Sequence, residues 1–221
     1  LQAVEKKGFE SFMMKEINEQ PETIADCLRG RLAAAGPEIA LGGIEDMMPR
    51  LLRAKKITIV SCGTSWHSAL IGKYLIESLT RIPVEVDYAS EYRYRRPIVS
   101  TEDVVIGITQ SGETADTKAA LEMAKRKGAL ILGVVNVVGS SIARLADAGI
   151  YTHSGTEIGV ASTKAFTGQV AALTMLAIKL SHRLGHIDDE KLMNLKDALA
   201  IIPDQVQEIL DDFGAIESIA K

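Results

Sequence analysis

Cysteine is scarce in this chain. Cys27 and Cys62 are the only two in 221 residues, too few and too far apart for a disulfide framework or a zinc site. Charge of one sign is equally scarce. The formal net charge is −4, and no run of Lys and Arg exceeds a few residues, which argues against nucleic acid as a partner. The one basic-aromatic cluster, Tyr92-Arg93-Tyr94-Arg95-Arg96, reads as a solvated helix or loop face. Long hydrophobic runs are missing too. The longest apolar stretch, Val170 to Ile178, is interrupted by Thr174 and followed by Lys179. It falls short of the roughly 20 residues a membrane span requires, so a buried core helix and no membrane partner are expected. No secretory signal is recognisable, so a reducing cytoplasm is expected. Leu1 stands where an initiator Met would, and Lys221 falls inside an amphipathic pattern; a piece of a longer chain is expected.

Several chemistries lack their signatures. No G-x-G-x-x-G follows the first expected strand, and no G-x-x-x-x-G-K-[ST] occurs, so neither a dinucleotide nor a P-loop cofactor is implied. Gly63-Thr64-Ser65-Trp66-His67 lacks the second glycine of a nucleophile elbow. The four histidines, His67, His153, His182 and His186, show no metal-ligand spacing with carboxylates. They read as surface or helix residues, with His67 set apart by its place one turn beyond a candidate loop. No metal and no cofactor are expected.

What is present is an ordinary globular composition, 47% hydrophobic and 24% charged, with an alternating pattern. Helix is expected from about Phe9 to Ala35, broken or restarted at Pro21, and again near Ile44 to Ala54. Strands are expected at Ile57–Val60, Val84–Val86, Val104–Ile108, Leu130–Val135 and Gly149–Tyr151. Between and after them, helices are expected at Ser65–Leu79, Ala115–Lys127 (ended by Gly128), Ser140–Leu145 and Ser162–Arg183. The tail from Asp188 to Ala220 reads as helical, interrupted at Pro203. Val- and Ile-rich runs separated by helices predict an α/β fold: a five-stranded parallel sheet in a three-layer α/β/α sandwich with terminal helices.

Three loops follow strands at the edge where open α/β sheets bind ligands. Loop one is Ser61-Cys62-Gly63-Thr64-Ser65. Loop two is Thr109-Gln110-Ser111-Gly112-Glu113-Thr114. Loop three runs from Thr156 to Lys164. With the strand order 2-1-3-4-5, loops one and two face each other across the topological switch point. Loop two ends a strand and opens a helix, so unpaired N–H groups and the positive end of the helix dipole meet neutral hydroxyl and amide donors, a setting for a phosphate. Each loop also has a purely structural reading. Thr64 or Ser65 caps the following helix, Ser111 and Thr114 form a capping arrangement around Glu113, and Ser162 caps the long helix while Lys164 sits on its exposed first turn.

At these residues the chain resembles a known family. Cys62-Gly63-Thr64-Ser65, Gln110-Ser111-Gly112-Glu113-Thr114-Ala115-Asp116-Thr117 and Glu157-Ile158-Gly159-Val160-Ala161-Ser162-Thr163-Lys164-Ala165-Phe166 are similar to the first SIS (sugar isomerase) domain of the glutamine–fructose-6-phosphate aminotransferases. Met14 to Pro21 and Ala89 to Arg95 are similar as well. The resemblance implies residues 1–54 as a helical lead-in packing on the core, 55–186 as the SIS core, and 187–221 as a helical segment leading to a second SIS domain. It implies sugar phosphate bound by Thr64, Ser65, Thr109, Gln110, Ser111, Thr114, Val160 and Ser162; Thr109 replaces the family's usual Ser but keeps the hydroxyl.

The family converts fructose 6-phosphate and glutamine into glucosamine 6-phosphate and glutamate, toward UDP-N-acetylglucosamine. Its glutaminase nucleophile, isomerase base, ring-opening His and amine-handling Lys match nothing in this chain, so no catalytic residue is assigned. Glu113 and Glu157 are the carboxylates nearest the cleft; Glu113 reads as a helix-N-terminal residue, and Glu157 as a sugar contact or acid/base group. The implied partners are fructose 6-phosphate or glucosamine 6-phosphate, the parent chain's glutaminase and second SIS domains, and a second copy in a homodimer. The isolated chain is expected to bind sugar phosphates weakly and to be inactive. Two rival readings are a non-enzymatic sugar-phosphate-sensing module and a stand-alone phosphosugar isomerase acting as an oligomer.

Overall fold

The computed structural model describes residues 5–32 and 38–220. Five strands form one parallel sheet: β1 (Lys56–Ser61), β2 (Val84–Tyr88), β3 (Asp103–Thr109), β4 (Leu130–Val135) and β5 (Ala148–Tyr151). Their order is β2-β1-β3-β4-β5, and all four pairings are parallel. The five expected strands are therefore found, in the order under which loops one and two face each other.

Alternate residues of a strand face opposite sides of the sheet, and the sequence loads both sides. Ile57 and Ile59, Val104, Ile106 and Ile108, and Leu130, Leu132 and Val134 belong to one core. That core packs against α2 (Gln20–Leu28), α4 (Thr64–Thr80) and α8 (Lys164–Arg183). Val60, Val105, Ile131 and Val135 enter a second core, under α5 (Ala89–Tyr94), α6 (Ala115–Arg126) and α7 (Ser141–Leu145). This is the three-layer sandwich. The apolar run Val170–Ile178 lies inside α8, where Ala172, Leu173, Met175 and Leu176 are buried. Among the described residues no helix is long and apolar enough to cross a membrane.

Several boundaries differ from expectation. The first helical segment is split into α1 (Phe12–Asn18) and α2, with Pro21 in the first turn of α2, where its missing N–H has no intrahelical partner to lose. Helix ends at Leu28, and Arg29 to Leu32 form a turn. The rest of that expected helix, residues 33–35, lies outside the described residues. The second short helix is a 3-10 turn, Gly42–Met47, continued by α3 (Met48–Leu51). The tail is three helices, α9 (Asp189–Ala200), α10 (Ile202–Asp211) and α11 (Phe213–Ala220); Pro203 starts α10, and a further break falls at Asp212.

The basic-aromatic cluster is not wholly solvated. Arg93 to Arg96 face solvent, but Tyr92 is only 1% exposed. It lies on the inner face of α5, a helix the sequence reading did not include. Burial, reinforced by the nearby Asp87 charge, pushes its phenol up to about 12.

Candidate functional site

The three loops leave the C-terminal edge of the sheet from β1, β3 and β5. β1 and β3 are paired neighbours, yet α4 goes to one face and α6 to the other. Between them is the divergence at which ligands enter such sheets.

Loop two is a turn held by its own side chains. Thr109 is buried; its Oγ1 lies 3.0 Å from Thr114 Oγ1 and accepts the Gly112 N–H at 3.2 Å. Ser111 Oγ accepts the Glu113 N–H at 3.2 Å while remaining exposed. Thr114 is the N-cap of α6 but makes no side-chain capping bond, so its hydroxyl is committed to Thr109 instead. The turn is braced from outside by α7. Gly112 O accepts the Ile142 N–H at 3.0 Å, and Glu113 Oε1 accepts the Ser141 N–H at 2.7 Å. Glu113 was expected at the N-terminus of its own helix; it serves the N-terminus of α7. The Ser141 hydroxyl and then its backbone N–H hold the Glu113 carboxyl below the usual carboxylate range. Gln110 lines a cavity of about 390 Å³ with Asn136, Val137, His153, Gly155 and Thr156.

Loop one does not cap its helix through a hydroxyl. Gly63 is the N-cap of α4, without a side-chain bond. Thr64 is half-buried. Ser65 is buried and accepts a hydrogen bond from Gln169 Nε2 at 3.0 Å. Ser68 Oγ lies 2.9 Å from Gln169 Oε1 and 2.8 Å from Ser65 O. The capping reading of Ser65 thus fails because Gln169, reaching from α8, takes the hydroxyl. His67 is exposed, with Nδ1 3.2 Å from Gly63 O and its ring edge-on to Trp66.

Loop three is held by carboxylates. Glu157 Oε1 accepts the Thr163 N–H at 2.8 Å and the Ala165 N–H at 3.3 Å, so Glu157 caps α8 and Ser162 does not. Ser162 Oγ and Thr163 Oγ1 are buried with no hydrogen-bond partner among the described residues. Val160 stands fully exposed at the tip. Lys164 was expected on an exposed first turn; it is 5% exposed, with Nζ 2.8 Å from Glu19 Oε2. The junction of α1 and α2 covers it and supplies the counter-charge. Burial by itself would raise the Glu19 carboxyl, but Lys164, Lys15 and Lys7 outweigh it and hold the group below its ordinary value. These residues border a second cavity of about 260 Å³ that includes His153, Ser154 and Thr156.

The edge carries more hydroxyl than its internal bonding uses. Ser61, Ser140 and Ser154 join Ser162 and Thr163 as buried hydroxyls with no partner among the described residues. A buried hydroxyl left unpaired costs about 1–3 kcal/mol. Of the carboxylates nearest the cleft, Glu113 and Glu157 are both engaged with backbone N–H groups. Among the described residues no group of His, Cys, Asp or Glu is arranged to hold a metal ion. Glu16, Glu19 and Gln169 are site-building residues that sequence reasoning did not single out. For Gln169 the one available signal was an amide bordering the apolar run at Val170.

The family described as SIS domain matches residues 50–179. The chain is 58% identical over 220 residues to the glutamine–fructose-6-phosphate aminotransferase [isomerizing] of Chlorobaculum tepidum, covering all of this chain and 36% of that one. It is 55% identical over 207 residues to the enzyme of the same name from Bacteroides thetaiotaomicron, covering 94% of this chain and 34% of that one. The chain thus spans about a third of the length of the curated relatives it matches. A solved structure of the C-terminal domain of glucosamine-fructose-6-phosphate aminotransferase from Francisella tularensis superposes with a TM-score of 0.90 at 36% identity, covering 98% of this chain and 60% of that one.

Proposed function

The chain belongs to the SIS domain family, and from that premise we propose that it is the phosphate-gripping part of the isomerase half of a glutamine–fructose-6-phosphate aminotransferase. The observation that carries this reading is loop two: a turn rich in hydroxyls at the switch point, opening the N-terminus of α6 and braced by α7. In this reading Thr109, Gln110, Ser111 and Thr114 take the 6-phosphate of fructose 6-phosphate or glucosamine 6-phosphate, with Ser65. Thr64, Val160 and Ser162 lie along the sugar. Binding energy from the remote phosphate orients the sugar at its reacting carbons.

Proton transfer between C1 and C2 needs a positioned base free to accept. Glu113 and Glu157 are committed to capping α7 and α8, which supports placing the chemistry in the rest of the parent chain, its glutaminase and second SIS domains. The division into a lead-in over 1–54, a core over 55–186 and a connecting segment over 187–221 belongs to the same proposal, as do a cytoplasmic location and a homodimer. Exposed Ile201, Ile202, Ile209, Ile216 and Ile219 on the last helices leave apolar surface for such neighbours.

Calorimetric titration tests the reading. The chain is expected to bind fructose 6-phosphate and not fructose, and Ser111→Ala is expected to weaken binding about tenfold or more through loss of a hydrogen bond to a charged group. Unchanged affinity in the variant would move the phosphate elsewhere. Glucosamine 6-phosphate formed by this chain alone would refute the assignment of chemistry to other domains.

A further inference from the structure

Loop three contributes Val160 and Ser162 to the proposed site, yet its backbone has few bonds of its own. What shapes it is a carboxylate far away in sequence. Glu16, on α1, is 2% exposed. Its Oε1 accepts the Ile158 N–H at 2.5 Å, and both carboxylate oxygens lie within 3.2 Å of the Gly159 N. Two consecutive N–H groups therefore converge on one buried anion, a charge-assisted arrangement about twice as strong as neutral bonds. Gly159 records the same closeness independently: a Cβ there would stand 2.6 Å from Glu16 Oε2. One turn later on the same segment, Glu19 grips Lys164 at the far end of the loop. Just before Ile158 and Gly159, Glu157 fixes the start of the loop to the N-terminus of α8. Residues 158 and 159 are thus tied to α1 and residue 157 to the start of α8, with Val160 exposed at the tip.

We propose that Glu16 is a positioning residue for sugar binding: from the lead-in helix it holds the 158–159 backbone in the shape that presents Val160 and Ser162 to the sugar. The inference rests on the proposed function above. It makes the lead-in part of the binding machinery, so a displacement of α1 is felt at the sugar and not at the phosphate.

The test compares two ligands in one variant. Glu16→Gln keeps the volume of the side chain but turns an NH₂ donor toward the Gly159 N–H. Affinity for fructose 6-phosphate is expected to fall about tenfold, with affinity for inorganic phosphate, held by loop two, unchanged. Hydrogen exchange at the Ile158 and Gly159 amides is expected to accelerate, with exchange in the sheet unaltered. Equal affinity for fructose 6-phosphate in variant and parent overturns the role of Glu16, and so does an equal loss for both ligands, which marks general damage. Gly159→Ala presses on the same carboxylate from the loop side, and the same selective loss is expected; it carries the test if Glu16→Gln does not fold. If the parent chain binds neither ligand, the sugar-phosphate reading itself fails and this inference falls with it.

Discussion

Gly112 sits at φ +71° in the middle of loop two, and the Ser140 side chain occupies the space where a Cβ would stand. An L-residue there meets both the left-handed backbone penalty and a steric overlap. Gly112→Ala is therefore expected to lower unfolding free energy by about 2–4 kcal/mol, measured by urea denaturation. Adding Ser140→Gly removes the overlap but not the backbone penalty, so the double variant recovers only part of the loss. Additive losses would show that the two positions do not meet. At this scale the hydroxyls were the readable residues. Ser111 and Thr114 stand out by type and by following a Val/Ile run. Their partners were not readable, because a hydrogen bond such as Gln169 to Ser65 spans 104 positions and leaves no periodic trace. Glu16 and Lys164 were obscured in the same way: charged residues on helices are solvated by default, and only the tertiary pairing of α1 with loop three buries them.

Two helix starts at this sheet edge, those of α7 and α8, are secured by acidic side chains from neighbouring loops. Glu157 reaches forward six residues to the Thr163 N–H, and Glu113 reaches across 28 to the Ser141 N–H at α7. Removing such a cap leaves an orphan donor at the positive end of the helix dipole. Glu157→Ala is expected to cost about 1 kcal/mol of stability, read as a shift in the urea midpoint at constant slope. An unchanged midpoint would mean that Thr163 or Ser162 takes over the N–H groups. Strands and long helices were legible because each repeats its pattern over several residues, as in Ile57-Thr58-Ile59-Val60. Capping was misassigned because Ser162 satisfies the local rule for an N-cap while Glu157 satisfies the geometry. The short helix α5 escaped notice because Ala89 to Tyr94 offers too few turns for periodicity to show.

The whole molecule joins two apolar cores across one sheet, and each contains a titratable group that the fold keeps neutral. Cys27, fully buried in the first core, has its thiol pushed up to about 11, first by burial and with only partial opposition from Arg31. Tyr92, in the second core, is raised to about 12. The layers followed from the sequence because the central strands β1, β3 and β4 are buried on both faces. The alkaline behaviour did not, since it depends on which side chains the layers enclose. Its sign follows from linkage. Both folded values lie above those of the unfolded chain, about 9 for Cys27 and 10 for Tyr92. Below pH 9 both groups are protonated in either state, and the contribution is complete. Above that, the unfolded chain releases protons that the folded chain retains, so stability falls as pH rises and continues to fall until the folded groups themselves ionise near 11 and 12. The melting temperature is thus expected to hold level to about pH 9 and then decline. Cys27→Ala should remove the earlier part of that decline and Tyr92→Phe the later part. Because the Tyr92 hydroxyl has no hydrogen-bond partner among the described residues, Tyr92→Phe should leave the neutral-pH melting temperature unchanged or raise it. A decline of the same depth in the double variant would show that the alkaline loss arises outside the two cores.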